Sequence, residues 1–562
     1  MGYFTPERKT SLVSALLIWL IFLGVAVWLQ RAAGAYQAEL IGYPDEPAHY
    51  VTGLAVRDYV AQGLPDSPVR YAENYYLHYP KVAFGNWPPV FYAIQAAWML
   101  VFSGSRASVI FLSAFLTSLI ALTIHLVIRK EYGVPAGLLG GLLFTALPLV
   151  QQATSMVMAD TLVALLSFWA VLGFSRYLAT ARLFHGALFG FLAACAMLVK
   201  GNALCLVMVP PAVMLIQRRL ALLKRVSFYV APAIIALLAG PWYAATTSRV
   251  VPTFGYDAGA RYTLSALSFY GHVVVRTVGI GLFLFVLLGV WARIVRPLRG
   301  GEVEGKWAAA FSLGLSCFLF HCVVSSGLEP RYLLSAVPVM VMFLVAGVAY
   351  AAALLPLARL STTHKMGVLA AALAVIFWVG VFRVPRKYSY GFQNVAEDLL
   401  ARPEFKDSVI LVSSEREGEG ALVSELAMRE HPRPRHVILR GSKVLADSDW
   451  MGFSYKLRFN TEDEIERYLE QIPVGVLVLD ISPPKYRYAH HEMLRKVVQA
   501  HSGRWKLVKA YERKPPDLPF PMKMLVYSQE GHQSMAKGTI EIELKSLSRT
   551  IRKSLAEPDS SR

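Results

Sequence analysis

The sequence predicts an α-helical polytopic membrane protein with a small C-terminal α/β soluble domain. Three observations carry that prediction. The 562 residues are 55% hydrophobic and only 17% charged, with mean hydropathy +0.44, whereas soluble domains carry roughly a quarter charged residues. Apolar runs recur between residues 11 and 381, each approaching the roughly 20 residues that cross hydrocarbon. From residue 386 the composition turns soluble, and short β-rich runs alternate with helical stretches.

The first apolar run, 11–29, is too long for a signal-peptide core and lacks a small-residue cleavage site, so it reads as a retained membrane helix. Arg8 and Lys9 before it place the N-terminus in the cytoplasm. A polar, aromatic external loop, 32–87, follows. Further spans are expected at 88–103, 107–128, 134–150, 161–177, 183–199, 203–216, 228–245, 273–295, 307–325, 332–355 and 366–381. Basic turns mark the cytoplasmic side: Arg176 and Arg182; Arg218, Arg219, Lys224 and Arg225; Arg293, Arg296, Arg299 and Lys306; Arg359 and Lys365. Twelve spans would put both ends on one side, yet the charges put them on opposite sides. One crossing between 88 and 150 is therefore misread, and 12–13 spans, more nearly thirteen, are expected.

The formal net charge of +18 fits cytoplasmic loops against anionic lipid rather than nucleic acid, since no basic domain interleaved with aromatics is present. Cys195, Cys205, Cys317 and Cys322 lie in apolar stretches without CxxC spacing and read as buried thiols. The expected organisation is a transmembrane domain over 1–384, an external α/β domain over 385–530 and a basic tail over 531–562. In the α/β domain, strands are expected at 408–413, 436–439, 474–480, 505–510 and 524–527, with helices at 461–471 and 489–501. Gly418-Glu419-Gly420 is a weak nucleotide-loop signal. His490-His491-Glu492 lacks the HExxH zinc spacing and predicts a solvated helix face. Residues 539–553 predict a short amphipathic helix.

Chemistry concentrates on the external side. Tyr43-Pro44-Asp45-Glu46-Pro47 opens a helix expected at 48–60, with Pro47 suited to its first turn. Asp45 or Glu46 is either an N-cap or a carboxylate tuned as a base or a cation's partner. His49, Arg57, His78, Lys81, Trp87, Asp160, Lys200, Glu329 and Arg331 reach the same face. Each has a plain explanation: Asp160 a cap, Lys200 a snorkelling anchor, Glu329 and Arg331 a mutual pair. Together they suit an anionic lipid group with a base beside it.

These segments resemble, in order, the motifs of the polytopic GT-C glycosyltransferases, including the protein O-mannosyltransferases and the lipid A aminoarabinose transferases. Asp45-Glu46 after span one resembles their Asp-Glu motif. Asn86-Trp87-Pro88-Pro89-Val90-Phe91-Tyr92 resembles their Pro-Pro-Leu-x-Tyr. Ala159-Asp160, Leu198-Val199-Lys200-Gly201 and Arg331-Tyr332-Leu333-Leu334 resemble their span-head Asp, Thr-Lys-Gly and Arg-Tyr-Leu-Leu-Pro, with Ser335 where Pro is common.

The resemblance implies an inverting transferase that moves a sugar from a polyprenyl-phosphate donor to a hydroxyl acceptor. Asp45 would be the general base and Glu46 its orienting partner. Lys81, Lys200 and Arg331 would hold the leaving phosphate. His49, Trp87, Asp160 and Glu329 would support them, and Tyr75 and Tyr76 could pack against sugar or prenyl chain. No metal or cofactor is implied. Membrane lipid is the other partner, and the location is a bacterial plasma membrane with the site periplasmic. A transporter or flippase of lipid-linked sugar is the rival reading, and a non-catalytic assembly subunit a third. Span-end charges and the absence of a repeat favour the enzyme.

Overall fold

The structure, a computed structural model, describes residues 6–554 apart from 66, 84, 251–258, 356–359, 407, 415, 431–433, 448–454, 473, 482–487, 530–538 and 545–548. The chain is an integral membrane protein. Among the described residues, seven helices are long and apolar enough to cross a bilayer, and a pair bent by 49° brings the number to eight. The bend falls where Gly240-Pro241 interrupts Val226–Leu238 and Gly240–Val250. The 41-residue helix Arg106–Ala146 holds two expected spans, because Gly133 at φ 85°, two residues before Pro135, breaks it.

The structure bears on the stretch between 88 and 150, where the charge pattern failed to close. Val90–Val101 is a 12-residue helix, about 18 Å long, against roughly 30 Å of hydrocarbon. Both its ends lie at one end of the bundle. The Val90 N–H donates to the Leu198 carbonyl (3.0 Å). Just beyond its other end, the Tyr50 hydroxyl donates to the Gly104 carbonyl (2.6 Å). It packs along Glu46–Ala61 and does not cross. Leu183–Met197 and Gly201–Gln217 are, like Val90–Val101, apolar helices shorter than the seven long ones among the described residues. At the opposite end, Glu131 accepts from Arg293 (3.0 Å) and Lys306 and ties two basic turns together.

Among the described residues, nine strands follow the membrane part: β1 (Val409–Ser413), β2 (Val437–Arg440), β3 (Ala446–Asp447), β4 (Lys456–Leu457), β5 (Val474–Asp480), β6 (Trp505–Arg513), β7 (Met522–Gln529), β8 (Thr539–Leu544) and β9 (Arg549–Ser554). One sheet has the order β2-β1-β5-β7-β6. β1 runs parallel to β2 and β5, and β7 is antiparallel to β5 and β6. β1, β2 and β5 are buried throughout, as their near-continuous Val, Ile and Leu content requires. Helices Arg416–Glu430, Glu462–Gln471 and Ala489–Ala500 cover this sheet, the second opened by a capping box from Thr461 and Glu464.

Two local expectations are overturned, and the weak Gly-Glu-Gly signal is explained by packing. Gly418-Glu419-Gly420 lies inside the Arg416–Glu430 helix rather than in a loop. A Cβ on Gly420 would sit 2.6 Å from Lys81 Cε and 2.9 Å from Pro47 Cγ, so close packing explains that glycine. His490 and His491 are buried, not solvated. Their Nδ1 atoms meet the Tyr455 hydroxyl (2.9 Å) and Ser413 Oγ (2.8 Å). In the tail, 539–544 and 549–554 form an antiparallel hairpin. Ile540, Ile542 and Leu544 alternate with Glu541 and Glu543, a period of two that suits strands rather than a helix. The rest of 531–562 lies outside the described residues.

The α/β unit is bolted to the 32–87 segment. Glu39, fully buried, accepts from the Ser389 hydroxyl and from the Tyr390, Gly391 and Gln393 N–H groups (2.8–3.2 Å), closing the start of Phe392–Ala401. Arg106 pairs with Glu425, and the Tyr79 hydroxyl donates to Glu430 (2.7 Å). The Arg440 guanidinium reaches the Pro80 carbonyl (3.4 Å) while its Nε pairs with Glu419 (2.9 Å).

Candidate active site

Asp45 stands at the N-cap of the helix Glu46–Ala61, with Pro47 in the first turn. Its side chain makes no capping hydrogen bond. It turns instead to Arg331, 286 residues away, which donates to its Oδ2 at 3.0 Å. Arg331 lies on the Pro330–Ala336 turn before a membrane helix. Its guanidinium stacks 4.3 Å from the Tyr43 ring centre and 5.6 Å from that of Tyr332. The expected Glu329–Arg331 pair does not form. Glu329 sits beside the Tyr43 phenol, where burial and then this carboxylate push the phenol up to about 12.

Asp160 heads the helix Asp160–Thr180 and accepts from Lys200 Nζ at 2.8 Å. Lys200 precedes the Gly201–Met208 turn, and its ammonium lies 5.0 Å from the Tyr332 ring centre. Arg331 and Asp160 share a small cavity with Tyr43, Leu149, Gln152, Ala153, Met156 and Met158. Two polar atoms there, Asp160 Oδ2 and Arg331 Nε, are buried without a hydrogen-bond partner among the described residues. Each such atom costs about 1–3 kcal/mol until a ligand satisfies it. Among the four ionic side chains Asp45 is the most open, at 24% exposure against 14% for Lys200, 9% for Arg331 and 4% for Asp160.

Behind Asp45 the aromatic motif forms a wall. Trp87 stacks on His49 at 4.3 Å between ring centres, Phe91 meets it edge-on at 5.4 Å, and the Tyr92 hydroxyl lies 2.8 Å from His49 Nδ1. Burial pushes His49 down to about 3, so the ring is a neutral part of that wall. Lys81 is on a separate flank. Its Nζ donates to the Pro44 carbonyl (3.1 Å), directly before Asp45, beneath Gly420. Burial, and then Arg440, push its ammonium down to about 7.

Glu46 does not face the cavity residues. It is fully buried and accepts from the Gly42 N–H (2.7 Å), the Val157 N–H (3.1 Å) and Lys387 Nζ (2.8 and 3.1 Å). Tyr75 and Tyr76 are also buried, and Tyr75 donates to Asp58 (2.9 Å). His78 meets the His436 carbonyl (2.9 Å) at the α/β unit, and Arg57 pairs with Asp58. Tyr43, Tyr332 and Lys387 were not singled out as site residues from sequence. Tyr43 and Tyr332 adjoin motif residues; nothing local marks Lys387. Among the described residues no three His, Cys, Asp or Glu side chains gather as metal ligands.

A sequence model of the dolichyl-phosphate-mannose-protein mannosyltransferase family matches residues 86–244, which include Trp87, Asp160 and Lys200. Among solved structures, apo ArnT from Cupriavidus metallidurans aligns with TM-score 0.54 and 14% identity over 90% of this chain and 97% of its own. The chain has the fold of ArnT. ArnT bound to undecaprenyl phosphate aligns with TM-score 0.51 and 13% identity over the same shares. The Archaeoglobus fulgidus oligosaccharyltransferase AglB, in complex with an inhibitory peptide and a dolichol-phosphate, aligns with TM-score 0.52 and 13% identity over 83% of this chain and 69% of its own. No curated protein matches in sequence. On this ArnT-like fold, four ionic residues from four separate segments converge beside an aromatic wall.

Proposed function

We propose that this chain is an inverting glycosyltransferase that moves a sugar from a polyprenyl-phosphate donor to a hydroxyl acceptor on the external face of the membrane. The observation that carries the reading is the orientation of Asp45. Its carboxylate forgoes the cap it is placed to make and lies open beside buried cations. The ArnT and AglB structures that hold a polyprenyl or dolichyl phosphate support the donor class.

In this reaction the acceptor oxygen attacks the anomeric carbon while the bond from that carbon to the phosphate oxygen breaks. The acceptor proton goes to Asp45, and polyprenyl phosphate departs from the opposite face, so the anomeric configuration inverts. Arg331 and Lys200 stabilise the negative charge that grows on the leaving phosphate. Asp160 holds Lys200, and the partnerless Arg331 Nε is free to donate to a donor oxygen. Lys81 is the third cation candidate, on the Asp45 flank. Neutral His49 and Trp87 bound the site without adding charge. Glu329 fixes Tyr43, on which Arg331 rests.

The test is to incubate the purified protein with labelled polyprenyl-phosphate sugars and a membrane extract, then determine the product and its anomeric configuration. A labelled product of inverted configuration is expected. Retained configuration would exclude the single displacement, and donor crossing the membrane without transfer would favour a flippase.

A further inference from the structure

Glu46 is a buried anion one residue from the proposed base, and its balancing charge comes from 341 residues further along the chain. Lys387 lies between the last membrane helix, Thr362–Gly380, and the helix Phe392–Ala401. Its Nζ donates to both Glu46 carboxylate oxygens (2.8 and 3.1 Å) and to the Ser155 carbonyl (3.2 Å). Its backbone N–H donates to the Ala33 carbonyl (2.7 Å). Gly34, at φ +74°, lets the strap pass, since a Cβ there would stand 2.9 Å from the Lys387 carbonyl oxygen. Nearby, the Gln151 side chain donates to the Arg383 carbonyl (3.3 Å).

Three segments therefore meet at one ion pair. The first carries Asp45 directly after Pro44. The second, through Ser155 and the Val157 N–H, runs into Asp160 three residues later. The third is the strap. Glu46 is 0% exposed and Lys387 10% exposed in their side chains, so neither is screened by bulk water.

We infer that Lys387 is a positioning residue for the transfer: by closing Glu46 it fixes the spacing between Asp45 and the Asp160–Lys200 pair. It touches no substrate atom and acts through Glu46. The inference rests on the assignment of Asp45 as the base. Without the ammonium, Glu46 must either stay as an uncompensated buried anion or take up a proton, and both loosen the turn that aims Asp45.

The experiment measures donor affinity and turnover separately for Lys387→Met, Lys387→Arg, Glu46→Gln/Lys387→Met and Asp45→Asn. Expected for Lys387→Met is turnover lowered at least about tenfold, as misplacement of a reacting group costs, with donor affinity changed less than about threefold. Lys387→Arg should recover part of the turnover. The neutral pair Glu46→Gln/Lys387→Met should exceed Lys387→Met alone, because an amide needs no balancing charge. Normal turnover in Lys387→Met overturns the inference. So does an equal loss of turnover and donor affinity that the neutral pair fails to relieve, which would make the strap a general fold element. Asp45→Asn separates the two layers: full transfer by that variant sinks the base assignment, whereas an inactive Asp45→Asn beside a normal Lys387→Met sinks only the positioning role.

Discussion

Replacing Asp45 by Asn separates a base from every structural role this position can hold. The amide keeps the size of the carboxylate, and its oxygen can accept from Arg331 at the same 3.0 Å. No capping bond is lost, because none is made. What disappears on the structural side is the charge part of one ion pair, whose acid is 24% exposed. What disappears chemically is the ability to take a proton. Loss of a general base costs about 10²–10⁴ in rate, or about 2.7–5.4 kcal/mol of transition-state stabilisation. The assay compares single-turnover transfer of a labelled sugar, donor binding and thermal melting in detergent for wild type, Asp45→Asn and Asp45→Glu. Asp45→Asn should melt within a few degrees of wild type, bind donor and transfer at least about a hundredfold more slowly. Asp45→Glu should also be slow, since its oxygen moves by about a bond length. Wild-type transfer by Asp45→Asn would refute the assignment and leave Asp45 as the partner that orients Arg331.

Two further outcomes follow from buried charges. Asp160→Leu should destabilise the protein by about 3–5 kcal/mol because it strands the Lys200 ammonium, and Asp160→Leu/Lys200→Met should recover most of that loss; equal melting of the single and double variants would show that the pair carries no mutual stabilisation. Lys81 gives a pH signature. Its ordinary value of 10.5 falls to about 7 in the folded chain, so the unfolded chain binds the extra proton between those values and stability rises with pH across that window. That contribution is fully present above 10.5 and is lost as pH falls to about 7. Thermal melting of wild type relative to Lys81→Met should therefore shift in favour of wild type from pH 7 to 9, and a pH-independent difference would contradict the buried ammonium.

Much of the fold was legible because bilayer and sheet impose periodicities on composition. The five strands of the main sheet, for example, fall within a few residues of their apolar runs. Val90–Val101 was not legible, since hydropathy reports composition and not which end of the bundle a helix returns to. Residues 539–554 misled because five apolar residues fit helical and strand spacing alike until the Ile-Glu alternation is weighed. In the site, Asp45, Asp160, Lys200 and Arg331 stood out as charges at span ends, where solvation alone rarely explains them. Their pairing was hidden: Arg331 chose Asp45 over its neighbour Glu329. Lys387 carries no local mark, because its partner lies 341 residues away.

The strap that closes Glu46 and Glu39 bears on how the molecule is made. Both carboxylates emerge early in synthesis, in the segment after the first membrane helix, and both are sealed by residues 387–393. The last membrane helix, Thr362–Gly380, is therefore translated before Glu46 meets its counter-charge and before Glu39 meets its strap donors. A nascent chain halted near residue 380 would contain all the membrane spans and the four converging ionic residues, yet hold two desolvated carboxylates without counter-charge or donors from the strap. The strap is thus laid down after the bundle, and a fragment that stops short of residue 387 lacks the groups that close both carboxylates.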